Sequence, residues 1–406
     1  MARAVARHAV MGWGQAEMDA AFTEMEQAYC HPLQVAQAWK REGKPVVACI
    51  GLDIPEEVID AVGALPVQVR GIPVTPQMAT FLDVGWPEGD QELFAAVVSG
   101  AYGFCDLMVI SRLQETYPKL YGYLTELRRH GNRTGSGIPP LFLYDRLPGN
   151  VGPAAAAFNR VVMDRLVESL QSIGRCGLSA ARLSASTRQA VRIDGLTLAL
   201  ARLRQRHPPQ VSGYEALVVT GARWAMSRSR YVALLERFVE ARREAPGRPC
   251  RARIFLIGNT SRAVEVYRAV EAAEAVVVGE VPDYGVRVWE DDDLGSPAPS
   301  EDLEGVLEAI TRRYQRLGPW SSWSDLGVRV AWLTRRIKES RPDGVIVIEE
   351  RYREPDGWEL PSLQAVLKNL GIPWRTIGLE FRPAGSEPEW SAMAHAVSEF
   401  VRAISR

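Results

Sequence analysis

Pro45-Val46-Val47-Ala48-Cys49-Ile50-Gly51-Leu52-Asp53-Ile54-Pro55-Glu56-Glu57-Val58-Ile59-Asp60-Ala61-Val62-Gly63-Ala64-Leu65-Pro66-Val67 is the stretch whose reading decides the fold. Val46–Ile50 is a short, wholly apolar run between Pro45 and Gly51. Such a run is too short for a core helix and has no polar face, which fits a strand buried on both sides. Glu56–Val62 then reads as a helix, and Leu65–Val69, ended by Gly71, as a second apolar run. Strand, helix and strand in succession make a βαβ unit, the seed of a parallel sheet.

The same grammar continues downstream. Asp106–Ile110 is a third run and Leu141–Tyr144, after the Pro139–Pro140 break, a fourth, with a helical stretch over Leu113–Arg129 between them. Upstream, residues 15–29 read as an amphipathic helix with Met18, Phe22, Met25 and Tyr29 on one face, packing across a lobe or a partner. About residues 152–245 the character changes. Phe158, Val162, Leu166 and Leu170 recur at helical spacing, Leu196–Leu203 and Tyr231–Val239 are also helical, and Leu217–Thr220 fits either a strand or a buried helix.

A second alternating region follows, with strands at Arg253–Ile257, Ala275–Val278, Gly344–Ile348 and Trp374–Leu379. Helices at Arg262–Ala273, Leu303–Arg316 and Leu363–Leu370 lie between them. The expected fold is therefore α/β, with two doubly wound parallel-sheet lobes, a helical middle segment and an N-terminal helix. The expected divisions are an N-terminal helical segment at 1–43, a first lobe at 44–151, the helical middle at 152–249 and a second lobe at 250–406.

Composition bounds the function. The chain has 406 residues and a net charge of -1, so no global field favours nucleic acid or an anionic membrane. No run of about 18 apolar residues exists to span a bilayer. The five cysteines, Cys30, Cys49, Cys105, Cys176 and Cys250, form no CxxC pair. With no apolar signal segment at the start, these predict free thiols in the cytoplasm.

Ligands of open parallel sheets bind beyond the carboxyl ends of the strands, and that rule selects the candidate residues. Pro55, Glu56 and Glu57 open a helix just after the first strand; the two acids stabilise the helix end, or Glu57 projects into the cleft as a base. Gly258-Asn259-Thr260-Ser261 offers amides and hydroxyls to a phosphate. Cys105 opens the third strand, where a buried apolar cysteine and a metal ligand are the alternatives. Trp320 and Trp323 suit core packing, an interface or a pocket wall, and the Glu290–Asp293 run suits a solvated loop or a divalent cation.

Taken in order, these segments resemble the 2-hydroxyacyl-CoA dehydratase and benzoyl-CoA reductase subunit family. The resemblance runs over roughly residues 44–380. It rests on Val46 to Val67, Cys105-Asp106, Ile138-Pro139-Pro140, the helix Arg160–Ile173 with Gly174, Arg253 to Gly258, Val276 to Gly279, Asp343-Gly344 and Gly371-Ile372-Pro373. It implies a subunit that dimerises with a paralogue or with itself and receives an electron from an ATP-dependent activator protein. It also implies an acyl-CoA substrate, in which one electron yields a ketyl radical that loses water, or reduces an aromatic ring in the reductase branch.

The family's subunits typically hold a 4Fe–4S cluster through cysteines, because the iron of such clusters binds thiolate. Of three ligand positions, the first matches Cys105. The second falls in Gly318-Pro319-Trp320-Ser321-Ser322-Trp323 and the third on Arg353, so neither is a cysteine here. The resemblance thus marks Cys105, Trp320, Ser321 and Arg353 as cleft positions, with Cys105 the one residual metal-ligand candidate. Arg353 is expected to pair with Glu57, Asp106 or Glu354, or to bind a ligand's phosphate or carboxylate. No cofactor is expected in this chain, and the family cluster is the alternative. Three roles follow: a cluster-free subunit beside a cluster-bearing paralogue, a subunit holding a cluster through atypical ligands, and a stand-alone protein binding an acyl-CoA or nucleotide-bearing ligand.

Overall fold

The apolar runs bounded by proline and glycine do form strands. A computed structural model of the chain describes residues 20–82, 85–130, 137–147, 152–258, 263–281, 302–315, 324–350, 356–379 and 390–405. The N-terminal helices are α1 (Ala20–Cys30) and α2 (Pro32–Arg41), and the first lobe comprises β1 (Val46–Ile50), α3 (Glu56–Ala61), β2 (Leu65–Gln68), α4 (Pro76–Ala79), α5 (Glu88–Val98), β3 (Leu107–Ser111), α6 (Thr116–Arg129) and β4 (Leu141–Tyr144). The helical middle comprises α7 (Pro153–Ile173), α8 (Ala180–Gln205), α9 (Gly213–Gly221), a 3-10 turn at Ala222–Ala225 and α10 (Arg228–Glu244). The second lobe follows as β5 (Ala252–Ile257), α11 (Ala263–Ala272), β6 (Ala275–Glu280), α12 (Leu303–Gln315), α13 (Leu326–Ser340), β7 (Gly344–Glu350), α14 (Asp356–Leu370), β8 (Trp374–Leu379) and α15 (Trp390–Ile404).

Each lobe carries a four-stranded, wholly parallel sheet, ordered β2-β1-β3-β4 in the first and β6-β5-β7-β8 in the second. The two orders are the same, and each reverses between its first and third strand, the switch point where such sheets open a crevice. Two local devices recur with this order. Val46 donates its amide to Asp106 Oδ2 (2.8 Å) while the Asp106 amide donates to the Val46 carbonyl (2.9 Å). In the second lobe Arg253 and Asp343 make the same reciprocal pair at 2.7 and 2.8 Å. At the other end of the first strand, Gly51 and Gly258 take φ of +107° and +109°. A Cβ there would come within 2.4 Å of Ser111 Cβ and 2.1 Å of the Ile348 carbonyl oxygen, so both turns require glycine.

The helices cover the sheets as their apolar faces dictate. Val162, Met163, Leu166 and Leu170 of α7 pack with Val58, Ile59 and Val62 beside Val47, Cys49 and Val109. Helix α12 follows β6 in the chain, yet Val306, Leu307, Ile310 and Tyr314 join this same core of the first lobe. The N-terminal helix expected at 15–29 is described from Ala20; Phe22 and Met25 pack on the helical middle, with the Phe22 and Phe238 rings 5.9 Å apart, while Met18 lies outside the described residues. Leu217–Thr220, open between strand and helix in the sequence, is inside α9. The helix is buried all round and fixed at its start by a reciprocal capping box between Ser212 and Glu215.

One arginine joins the helical middle to the second sheet. Arg253 in β5 donates to the carbonyls of Gln205 and Arg206 at the end of α8, and to those of Ser340 and Arg341 at the end of α13, at 2.8–3.0 Å. Helix C-termini leave carbonyls without intrahelical donors, and a guanidinium supplies both donors and the charge that suits that end of the dipole.

Candidate functional site

Three strands of the first lobe end in polar residues at one edge. Asp53 follows β1, Ser111 closes β3, and Arg112, Asp145 and Arg146 stand just beyond β3 and β4. Ser111 donates its hydroxyl to Asp53 Oδ1 and accepts from the Leu113 amide at 2.9 Å. Arg146 reaches Asp53 Oδ2 through Nε at 3.0 Å and Nη2 at 2.9 Å. Its remaining nitrogen, Nη1, is buried without a hydrogen-bond partner among the described residues. Asn159 of α7 fixes the strand exit, accepting from the Leu147 amide at 2.7 Å and donating to its carbonyl at 2.9 Å. Beside this trio, Arg112 pairs with Asp145 at 2.7 Å.

Behind this edge lies a buried cluster of charges. Glu56 and Glu57, the first residues of α3, turn inward instead of facing solvent. Glu56 pairs with Arg223 and stands 3.5 Å from Arg228, whose Nε lies 3.7 Å from Asp60. Glu57 accepts from Arg313 at 3.2 Å and from the Tyr314 hydroxyl at 2.6 Å. Arg313 also reaches Asp194, which Arg223 approaches at 3.3 Å. Burial opposes the charge of Glu57, but Arg313, Arg228 and the Tyr314 hydrogen bond outweigh it and bring its pKa down to about 2. Glu57, 1% exposed and with both oxygens taken, is an ionised anchor and a poor base.

Cys105 stands at the opposite edge. It precedes the amino end of β3, buried in the face packed by Phe94, Met108 and Leu120. Burial first, then the neighbouring Asp106, pushes its thiol up to about 12 against the pull of Lys40, so it is protonated near neutral pH. Asp106, a proposed partner of Arg353, is engaged by Lys40 and the Val46 amide. The structure therefore does not bring Glu57 and Cys105 together. Trp320, Ser321 and Arg353 lie outside the described residues, as do Trp323, Asn259-Thr260-Ser261 and the Glu290–Asp293 run.

Of the three positions that the resemblance marks as cluster ligands, the described residues include Cys105 alone. Among the described residues no group of three or more His, Cys, Asp or Glu side chains is arranged to hold a metal ion. All five cysteines are free, and Cys49, the conceivable substitute, packs into the α3–α7 core, with its thiol pushed up by burial. What the first lobe offers at its carboxyl edge is instead hydrogen-bonded charge: one aspartate, one serine hydroxyl and a guanidinium whose Nη1 has no partner among the described residues.

Asp53, Ser111 and Arg146 were not among the residues singled out from sequence. The signal that identifies them is positional: each sits at or just past a strand's carboxyl end. Asp194, Arg223, Arg228 and Arg313 carried no such mark, since a charged residue inside an amphipathic helix ordinarily faces water.

The two parallel sheets, the helical middle and a polar carboxyl edge define a two-lobed α/β protein. The chain belongs to the 2-hydroxyglutaryl-CoA dehydratase, D-component family, whose profile matches residues 52–400. No curated protein matches it. Among the described residues no helix is long and apolar enough to cross a membrane.

Proposed function

We propose that this chain is a cluster-free subunit of a 2-hydroxyacyl-CoA dehydratase-type complex, paired with a cluster-bearing paralogue. Its role is to shape the acyl-CoA pocket and the surface met by the partner or the ATP-dependent activator, while the paralogue carries the electron. The observation that carries this reading is the donor set. Of the three positions where the resemblance places cysteines, one falls in the cysteine-free Gly318–Trp323 loop, one falls on Arg353, and the remaining one, Cys105, is a buried protonated thiol at the amino edge of its sheet. The dehydratase family supplies the reaction class, and the benzoyl-CoA reductase branch is the alternative for the complex served. Five free cysteines suit a reducing compartment, in line with the cytoplasm.

The pairing is tested by native mass spectrometry of the chain coexpressed with a paralogue that has all three cysteines. A stable heterodimer that binds a 2-hydroxyacyl-CoA is expected. A lone monomer that binds the ester would favour the stand-alone ligand-binding role and sink the subunit reading.

A further inference from the structure

We propose that Arg146 is the base of an oxyanion subsite at the carboxyl edge of the first sheet, taking an oxygen of a carboxylate or phosphate group through Nη1. A buried arginine in this protein can be fully satisfied. Arg253, also buried, satisfies Nε, Nη1 and Nη2 on four backbone carbonyls. Arg146, only 5% exposed, spends Nε and Nη2 on Asp53 and leaves Nη1 buried with no acceptor among the described residues. A charged donor held out of water without an acceptor is a standing cost, and an incoming oxyanion removes it.

The surroundings fix which partner is missing. Asp53 is the one carboxylate paired with Arg146 among the described residues, and its other oxygen is occupied by the Ser111 hydroxyl. Arg204, Arg223, Arg242, Arg329 and Arg336 each leave only Nε unmatched while an ion pair holds the guanidinium, and Arg228, with three unmatched nitrogens, stands between Glu56 and Asp60 and so has carboxylates at hand. The place also matters. Arg146 lies where β1, β3 and β4 end together, next to the switch point of the sheet, where parallel α/β folds take ligands. Asp53 and the Asn159 clamp on Leu147 hold the guanidinium still, so Nη1 is set in advance for an incoming oxygen.

This inference rests on the acyl-CoA reading only for the ligand's identity: the oxyanion is either a carboxylate of the acyl portion or a phosphate of the CoA portion. The test is calorimetric titration of the full chain with glutarate and, separately, with inorganic phosphate. It compares the natural protein with Arg146→Gln and with the double variant Asp53→Asn/Arg146→Gln, which removes both charges together and so spares the fold an unpaired aspartate. The natural protein is expected to bind one of the two anions, and glutarate or phosphate identifies the source. Either variant is expected to weaken that binding about tenfold or more, the scale of one charge-assisted bond. Equal affinity in the natural protein and the folded double variant, or no binding of either anion by the natural protein at millimolar concentration, overturns the proposal. An intact heterodimer with no anion effect would remove this inference alone; anion binding by a chain that forms no heterodimer would remove only the subunit reading.

Discussion

Glu57 shows how far a residue's chemistry is set by partners distant in the chain. Its hydroxyl donor, Tyr314, is 257 positions away, and the two arginines that hold it charged come from α10 and α12. The consequence is a pH dependence with a definite sign. The folded pKa is near 2 against a reference of 4.5, so the stabilisation is fully present above the unfolded pKa and lost as pH falls through the folded value. For this enclosed carboxylate the effect is roughly 3 kcal/mol across that window, and Asp194, pushed the other way by burial, offsets part of it. Glu57→Gln should therefore flatten the acid limb of stability between the two values, as read by urea unfolding at a series of pH values. The same substitution leaves buried guanidinium charge uncompensated and should lower neutral-pH stability by about 3–5 kcal/mol. An acid limb identical in variant and natural protein would show that Glu57 is not the anchor.

At the scale of elements, the turn glycines can be ranked. Gly51 and Gly258 combine a positive φ with a Cβ collision, whereas Gly371, at the end of α14, has φ +67° and open space around it. Gly51→Ala and Gly258→Ala should each cost about 2–3 kcal/mol, and Gly371→Ala about 1 kcal/mol, in thermal or denaturant unfolding. Equal costs at all three positions would remove the close-approach account. Arg253→Met should release the ends of α8 and α13 together. A loss of about 3 kcal/mol or more is expected, with faster amide exchange confined first to those two helix ends. Exchange that speeds up uniformly would argue against a local staple.

The strands were legible in the sequence for a plain reason. A parallel strand buried on both faces is a continuous apolar run, and here most runs have proline or glycine at one end at least, as at Pro45 and Gly51, Pro140, Gly258 or Pro373. Helix α9 was ambiguous because it too is buried on all sides, which erases helical periodicity. Helices α5 and α15 went unread, although Phe94, Val97 and Val98 in one and Met393, Val397 and Val401 in the other carry their buried faces. The candidate site was the least legible part. Asp53 and Arg146 are 93 positions apart, and nothing local marks them as a pair. Only the order of the strands, which brings the ends of β1, β3 and β4 to one edge, makes them neighbours.

Across the whole molecule, the two lobes repeat one design with different ends. The reciprocal aspartate pair and the positive-φ glycine recur, but the position Gly51 presses on is Ser111 while its counterpart against Gly258 is Ile348. The first lobe thus keeps a polar, arginine-bearing edge, whereas β7 continues past Ile348 into Glu349 and Glu350. A duplicated scaffold that diverges at strand ends keeps its cores and changes its ligand chemistry, because loops and strand termini tolerate substitutions that packed strands do not. The family resemblance implies the same divergence at two cysteine positions, which fall in the Gly318–Trp323 loop and on Arg353.

The most direct test of the central claim is the iron and acid-labile sulfide content of the chain purified without oxygen, alone and in complex with a cluster-bearing paralogue. The account predicts no iron in the isolated chain and, in the complex, only the iron that the paralogue carries by itself. About four irons per isolated chain, with the broad visible absorption of a cubane cluster, would contradict it.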